Sequence, residues 1–260
     1  MKNIQVLVAT MNQADHFLIE KMNVKTKCIV ANQCDRNSVE FFNYKGNEIA
    51  YYNFTERGVG LNRNNALMRA NADICLFADD DMVYLDNYCD VVEKAFEENP
   101  QADVCIFNLV GRDTGKDKIK KKHRVYWYNY LRYGTARIAV RLSSIKKNGI
   151  FFNQCFGGGT EYCHGEDNLF LHSCLKNGLK IVAVPTYIAS LTEERESSWN
   201  RGYNDKYLRD QGALYFLISR RWWRLLCLQD AIRHCQVYGR SIYKAYKLMR
   251  IGAKEFHFMG

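Results

Sequence analysis

Proline is scarce in this chain: Pro100 and Pro185 are the only two in 260 residues. With 47% hydrophobic residues, that scarcity excludes a disordered or proline-rich linker protein and points to compact globular material. No apolar run approaches the ~18 to 20 residues that a membrane-spanning helix needs. The opening Ile4–Thr10 is too short for a signal sequence, lacks a small-residue cleavage site behind it, and reads as a first strand. The expectation is a protein that stays in the cytoplasm. Not one of the ten cysteines belongs to a Cys-x-x-Cys pair. Cys28, Cys75, Cys105 and Cys174 lie in apolar runs, where cysteine serves as a small core residue. Cys155, Cys163 and His164 cluster too loosely for zinc, so all ten read as reduced thiols. Internal repeats and low-complexity tracts are missing as well.

What the chain has in excess is positive charge, +9 in total, and it is unevenly placed. Between Ser219 and Glu255 nine Lys and Arg face only Asp230 and Glu255, a local +7 that leaves +2 for everything else. A second basic run covers Lys116 to Arg124. Such asymmetry suits an anionic surface or substrate. Nucleic acid is not the expected partner, because no RNA- or DNA-reading motif is interleaved with the charge.

Apolar runs at Ile4–Ala9, Cys28–Ala31, Ile49–Phe54, Ile74–Ala78 and Val104–Val110 alternate with helical patterns at Leu61–Ala70 and Tyr88–Glu98. This alternation predicts an α/β fold with a mostly parallel sheet flanked by helices, whose ligands bind beyond the carboxyl ends of the strands. Thr10, Asn32 and Asp79 sit at such ends. Gly111–Arg124 reads as a loop or lid and Thr135–Leu142 as another strand. Leu169–Leu179 reads as a helix, Lys180–Val184 as a strand, and the chain from Asn204 onward as helical. The organisation predicted is a domain over residues 1–215 and a basic amphipathic helical extension over 216–260.

Three consecutive aspartates, Asp79, Asp80 and Asp81, close the apolar run Ile74–Ala78. Carboxylates this close repel, and a divalent cation such as Mg2+ or Mn2+ prefers such hard oxygen ligands. Continued strand alternation would let Asp79 and Asp81 grip one ion while Asp80 points away. The acids could also simply cap a strand or begin a turn.

Taken in order, the segments resemble glycosyltransferase family 2, inverting enzymes of the GT-A fold. The resemblance covers residues 1–215 and rests on Ala9-Thr-Met-Asn-Gln13, Asn32-Gln-Cys-Asp35, Gly58-Val-Gly-Leu-Asn-Arg-Asn-Asn-Ala66, Ala78-Asp-Asp-Asp81 and Gly165-Glu-Asp167. Glu196-Ser-Ser-Trp199 and Gly202-Tyr203 are similar to a segment common in members that build bacterial surface polysaccharides. The resemblance implies metal binding by Asp79 and Asp81. It implies a nucleotide-sugar site, with UDP the expected nucleotide, at Thr10, Asn32, Asp35, Arg63, Asp79 and Asp80. Asp167 would be the catalytic base and Glu166 a contact to acceptor or donor sugar. It further implies a glycan acceptor, lipid-linked, and peripheral attachment to the inner face of the cell membrane through the basic C-terminal segment. Ala189-Ser-Leu-Thr192 departs from the pattern, since many GT-A enzymes place a metal-binding histidine there. The rival readings are a nucleotidyltransferase and an inactive carbohydrate- or membrane-binding relative. Against the first, Ala9–Asp15 has neither the glycine nor the basic residue of a phosphate loop. Against the second, Asp79, Asp81 and Asp167 are all present.

Overall fold

A computed structural model describes residues 3–111, 118–192 and 202–259. The segment Glu196–Trp199 and part of the basic run from Lys116 lie outside the described residues. Strand β1 (Ile4–Met11) is apolar on both faces and therefore central, flanked by the parallel strands β2 (Lys27–Gln33) and β5 (Ile74–Asp79). The short helix α1 (Leu18–Lys21) joins β1 to β2. Strand β3 (Ser38–Tyr44) turns back on β4 (Asn47–Phe54) as an antiparallel hairpin at the sheet edge. The expectation from sequence missed β3, whose side chains are largely exposed and give no apolar run.

Helix α2 (Val59–Arg69) leads into β5, and β6 (Met82–Tyr84) follows the aspartates. Helix α3 (Tyr88–Glu97) buries Tyr88, Val92, Ala95 and Phe96, the spacing of one helical face, and ends just before Asn99-Pro100. Strands β7 (Val104–Val110) and β8 (His123–Val125) come next. The stretch expected to be a strand over Thr135–Leu142 is divided: a 3-10 turn over Thr135–Arg137, strand β9 (Ile138–Arg141), then helix α4 (Leu142–Lys147). Helix α5 (Glu166–Lys176) precedes β10 (Ile181–Leu191), which runs on through Pro185 with shifts of register. The order across the sheet is β3-β4-β2-β1-β5-β9-β7-β10-β6, with β8 also paired to β10. Strands β4, β2, β1, β5, β7 and β10 share one direction, and β3, β9, β6 and β8 oppose it.

Alternate residues feed two cores. Val6 and Val8 pack with Val30, Leu76 and α3, whereas Leu7 packs with Ile29, Phe77, α2 and α5. A third cluster unites α6 (Asp205–Ile218), α7 (Trp223–Tyr238) and α8 (Ile242–Met259). Residue 215 lies inside α6, so α6 is shared by the two predicted parts of the chain. Two glycines let α6 and α8 nearly touch: a Cβ on Gly212 would stand 1.8 Å from the Met249 carbonyl oxygen, and one on Gly252 2.0 Å from that of Arg209. Leu214 and Ala213 of α6 also pack with Phe156 and Leu169, which fastens the helical unit to the domain.

Candidate active site

The strand register assembles the first half of the site. Thr10 stands opposite Asn32, Ala9 opposite Asp79, and Asn32 opposite Asn53, all at carboxyl ends. Buried Asn32 donates from Nδ2 to Asn53 Oδ1 (2.7 Å) and to the Gln13 carbonyl (3.0 Å), and its Oδ1 accepts the Gln13 amide (3.1 Å). It shapes the loop after β1. Asp35 lies just beyond β2 at the surface, where Arg57 Nη2 pairs with it at 2.8 Å. Arg57 also reaches the Cys34 carbonyl at 2.8 Å, which fixes that pair at the rim.

Strand β5 stops at Asp79, and Asp80 and Asp81 form the turn into β6. Strand alternation therefore does not set where these side chains point. The Thr10 hydroxyl donates to Asp80 Oδ2 (2.7 Å) and accepts from Gln13 Nε2 (3.0 Å), so Asp80 faces the β1 loop. The Asp81 carbonyl accepts the Thr192 amide at 2.8 Å, joining the turn to the end of β10. All three carboxylates are half-buried. An all-oxygen donor set of this kind fits Mg2+ or Mn2+.

Arg63 joins this half to the second. Its Nη2 lies 2.6 Å from Asp79 Oδ1 and its Nη1 2.8 Å from Glu166 Oε1, while its side chain is only 6% exposed. Burial alone would favour the neutral form; Asp79 and Glu166 outweigh it and raise the pKa above the ordinary arginine value. Nε has no partner among the described residues. Helix α2 holds Arg63 in place through its neighbours. Asn62 Nδ2 donates to the Ala31 carbonyl (2.7 Å), and the Asn64 amide bonds the Phe152 backbone at both N (2.8 Å) and O (2.9 Å). Four polar residues in a row inside a helix, Asn62 to Asn65, are costly unless they find partners; each makes at least one side-chain hydrogen bond, while Asn62 Oδ1 and Arg63 Nε have none among the described residues.

Glu166 and Asp167 open α5, where the helix dipole favours acids. Asp167 Oδ1 accepts the Asn168 amide at 2.7 Å. Gly157 makes room for Glu166: a Cβ there would lie 2.7 Å from Glu166 Oε2 and 2.6 Å from Val59 Cγ1. His164 stacks on Tyr207 (centroids 4.1 Å apart) and donates from Nε2 to Gln211 Oε1 at 2.7 Å. Burial lowers its pKa, so it stands as neutral scaffolding.

Cys163, His164 and Asp210 bring their ligand atoms within 4.8 Å of one another, a grouping invisible in spacing because Asp210 comes from α6. Lys206 Nζ (2.7 Å) and the Cys163 amide (2.9 Å) already engage Asp210 Oδ2. The Cys163 thiol is pushed up to about 12 by burial and by Asp210. The trio thus acts as a latch between α6 and the segment before α5. All ten cysteines are free thiols. Gln13 and Arg57 are the site residues that sequence reasoning missed; Gln13 stands in a motif already singled out, and Arg57 directly precedes the Gly58 segment.

A family model, Glycosyl transferase family 2, matches residues 22–160. That span holds Asn32, Asp35, Arg63 and the three aspartates; Thr10, Glu166 and Asp167 lie outside it. No curated protein matches the chain by sequence. Among solved structures, S. aureus TarS 1-349 in complex with UDP-GlcNAc superposes with a TM-score of 0.64 at 14% identity, covering 99% of this chain and 92% of that one. The same protein in complex with UDP gives 0.62 at 15% identity over 99% and 92%. A further S. aureus TarS structure gives 0.60 at 15% identity, covering 89% of this chain and 43% of that one.

Proposed function

The chain belongs to glycosyl transferase family 2 and is a glycosyltransferase of the GT-A fold, and on that premise we propose that it transfers a sugar, with inversion, from a UDP-sugar to a glycan acceptor in bacterial surface polysaccharide assembly. The observation that carries this reading is the meeting of two hydrogen-bonded sets, Thr10 with Asp80 and Arg63 with both Asp79 and Glu166, where Asp79 and Asp80 are neighbours in the chain and Asp167 follows Glu166. The UDP and UDP-GlcNAc complexes of TarS support UDP as the nucleotide.

Asp79 and Asp81 would hold Mg2+ or Mn2+, which when bound stabilises charge on the departing diphosphate. Asp35, with Arg57 beside it, accepts hydrogen bonds from the base or ribose. Thr10, Asn32, Gln13 and Asp80 form the floor under the nucleotide. Asp167 takes the proton of the acceptor hydroxyl as its oxygen bonds the anomeric carbon from the face opposite the phosphate. The bond from that carbon to the diphosphate oxygen breaks, and UDP leaves with the electron pair. Glu166 contacts acceptor or donor sugar. The acceptor is a lipid-linked glycan, and the enzyme works peripherally at the inner face of the cell membrane. The +7 of the Ser219–Glu255 segment supports that location.

The test is product analysis with a panel of UDP-sugars and Mn2+. Transfer or slow hydrolysis that releases UDP is the expected result. Formation of UTP and sugar 1-phosphate on addition of pyrophosphate would mean a nucleotidyltransferase. UDP binding without any turnover across the panel would mean an inactive relative.

A further inference from the structure

The C-terminal basic residues are spread over three helices, whereas the exposed apolar ones gather mainly on α7 and its start, with Leu217 on α6 and Ile242 and Tyr243 at the start of α8 besides. Helix α7 buries Trp223, Cys227, Ala231 and Tyr238 against its neighbours. On the opposite face Leu225, Leu228 and Ile232, spaced three and four apart, stand exposed, with Trp222 one turn earlier. Trp222, Leu225 and Ile232 are 52%, 55% and 54% exposed. A helix that only rested on its own domain would carry charge at the centre of its outer face. Here the charges flank the stripe: Arg224 and Arg233 are exposed at its sides, and Arg221 lies over the Trp222 ring at 5.0 Å. Helix α8 is built the other way, with Ala245, Leu248, Met249 and Ala253 inward and Lys244, Lys247 and Lys254 outward.

We infer that α7 is the element that enters the lipid. Its outer stripe lies in the boundary between headgroups and acyl chains of an anionic bilayer, with the helix axis along the surface and the flanking arginines on lipid phosphates. Among the described residues no helix is long and apolar enough to cross a membrane, so the attachment made by α7 is superficial. Positive flanks around an apolar centre match an anionic lipid surface, whereas a second copy of the same face would set arginine against arginine. This assignment rests on the reading of a membrane-presented acceptor, and it goes beyond attraction by charge alone by naming the side chains that insert.

The experiment uses the full chain and vesicles of phosphatidylglycerol with phosphatidylcholine. Wild-type protein should co-sediment, and Leu225→Ser/Ile232→Ser should bind at least tenfold more weakly although its charge is unchanged. Ile242→Ser/Tyr243→Ser, at the start of α8, should bind as wild type does. Trp222 emission should shift to the blue with vesicles, and Trp222→Phe should remove that shift. Equal binding by the Leu225/Ile232 variant would overturn the proposal in favour of charge alone. A wild-type dimer in light scattering that becomes monomeric in that variant would overturn it in favour of a second copy. UDP release without vesicles, measured on the same samples, keeps the two readings apart. Its absence in the wild type would count against the transferase reading and leave the lipid result standing.

Discussion

Without the Arg63 guanidinium, Asp79 and Glu166 would be left as two half-buried carboxylates lacking their shared countercharge. Arg63→Met should therefore lower stability by about 3 kcal/mol, as when one partner of a buried ion pair is removed. It has a second expected consequence, because in the wild type the arginine would compete with any cation bound at Asp79. Mn2+ alone should raise the melting temperature of Arg63→Met more than that of the wild type, since the ion restores the missing charge. Equal shifts in both proteins would show that Arg63 and the metal do not share Asp79. Asp167→Asn keeps the shape at the start of α5 but cannot accept the acceptor proton. Turnover should fall about 10²-fold or more, with UDP affinity in calorimetry nearly unchanged. Normal turnover in Asp167→Asn with loss in Glu166→Gln would exchange the two roles.

His164 supplies the pH dependence. Burial holds it, and likewise His172, below the ordinary value of 6.5. A depressed folded pKa means that the unfolded chain binds the proton more readily. The stability these groups contribute is present above about pH 6.5 and declines as pH falls below it, by up to about 1.4 kcal/mol per pH unit for each histidine. Melting temperature measured downward from neutral pH should drop over that range, and His164→Gln should flatten part of the slope. An unchanged slope in that variant would assign the acid sensitivity elsewhere.

Among elements, the α6–α8 crossing is the least tolerant. Gly212→Ala would place its Cβ 1.8 Å from the Met249 carbonyl oxygen, so the helices must separate. The expected loss is about 2 kcal/mol or more, read by thermal unfolding followed by circular dichroism. Wild-type stability would mean that the two helices slide at no cost. The elements also differ in how far sequence revealed them. The expected apolar runs became strands, and Val104–Val110 did so with the same limits, because a strand covered on both faces is largely apolar. Edge strand β3 escaped, since Ser38–Tyr44 is largely exposed and mixes polar with apolar residues. The four-residue β9, placed antiparallel between β5 and β7, is too short for its direction to be encoded locally.

At the scale of the whole molecule, the sheet and the helices on its faces bring Thr10 to Asp80 and Arg63 to Asp79 and Glu166, two polar sets that adjoin at the aspartate turn. If the aspartate turn holds a divalent ion during catalysis, EDTA should abolish transfer and either Mn2+ or Mg2+ should restore it. Full activity in EDTA would leave Asp79 and Asp81 as a structural turn. The helical unit of α6, α7 and α8 is fastened through Leu214 and Ala213 to Phe156 and Leu169, near the start of α5. We propose that it works with the catalytic domain as one body that presents α7 outward.

Local chemistry was enough to announce the alternation of strands and helices, the aspartate cluster at the end of β5, the acids at the start of α5 and the basic C-terminus. Each of these depends on periodicity, charge or capping within a few residues. Which groups share a proton or a countercharge was decided only in three dimensions. Arg63 is separated from Glu166 by 103 residues and Cys163 from Asp210 by 47. Pattern alone allowed Leu225 and Ile232 to serve a core, as Leu226 partly does; packing left the first two outside. The physical reason is the same in each case: a hydrogen bond or a buried face belongs to a pair of surfaces, and the chain states only one of them at a time.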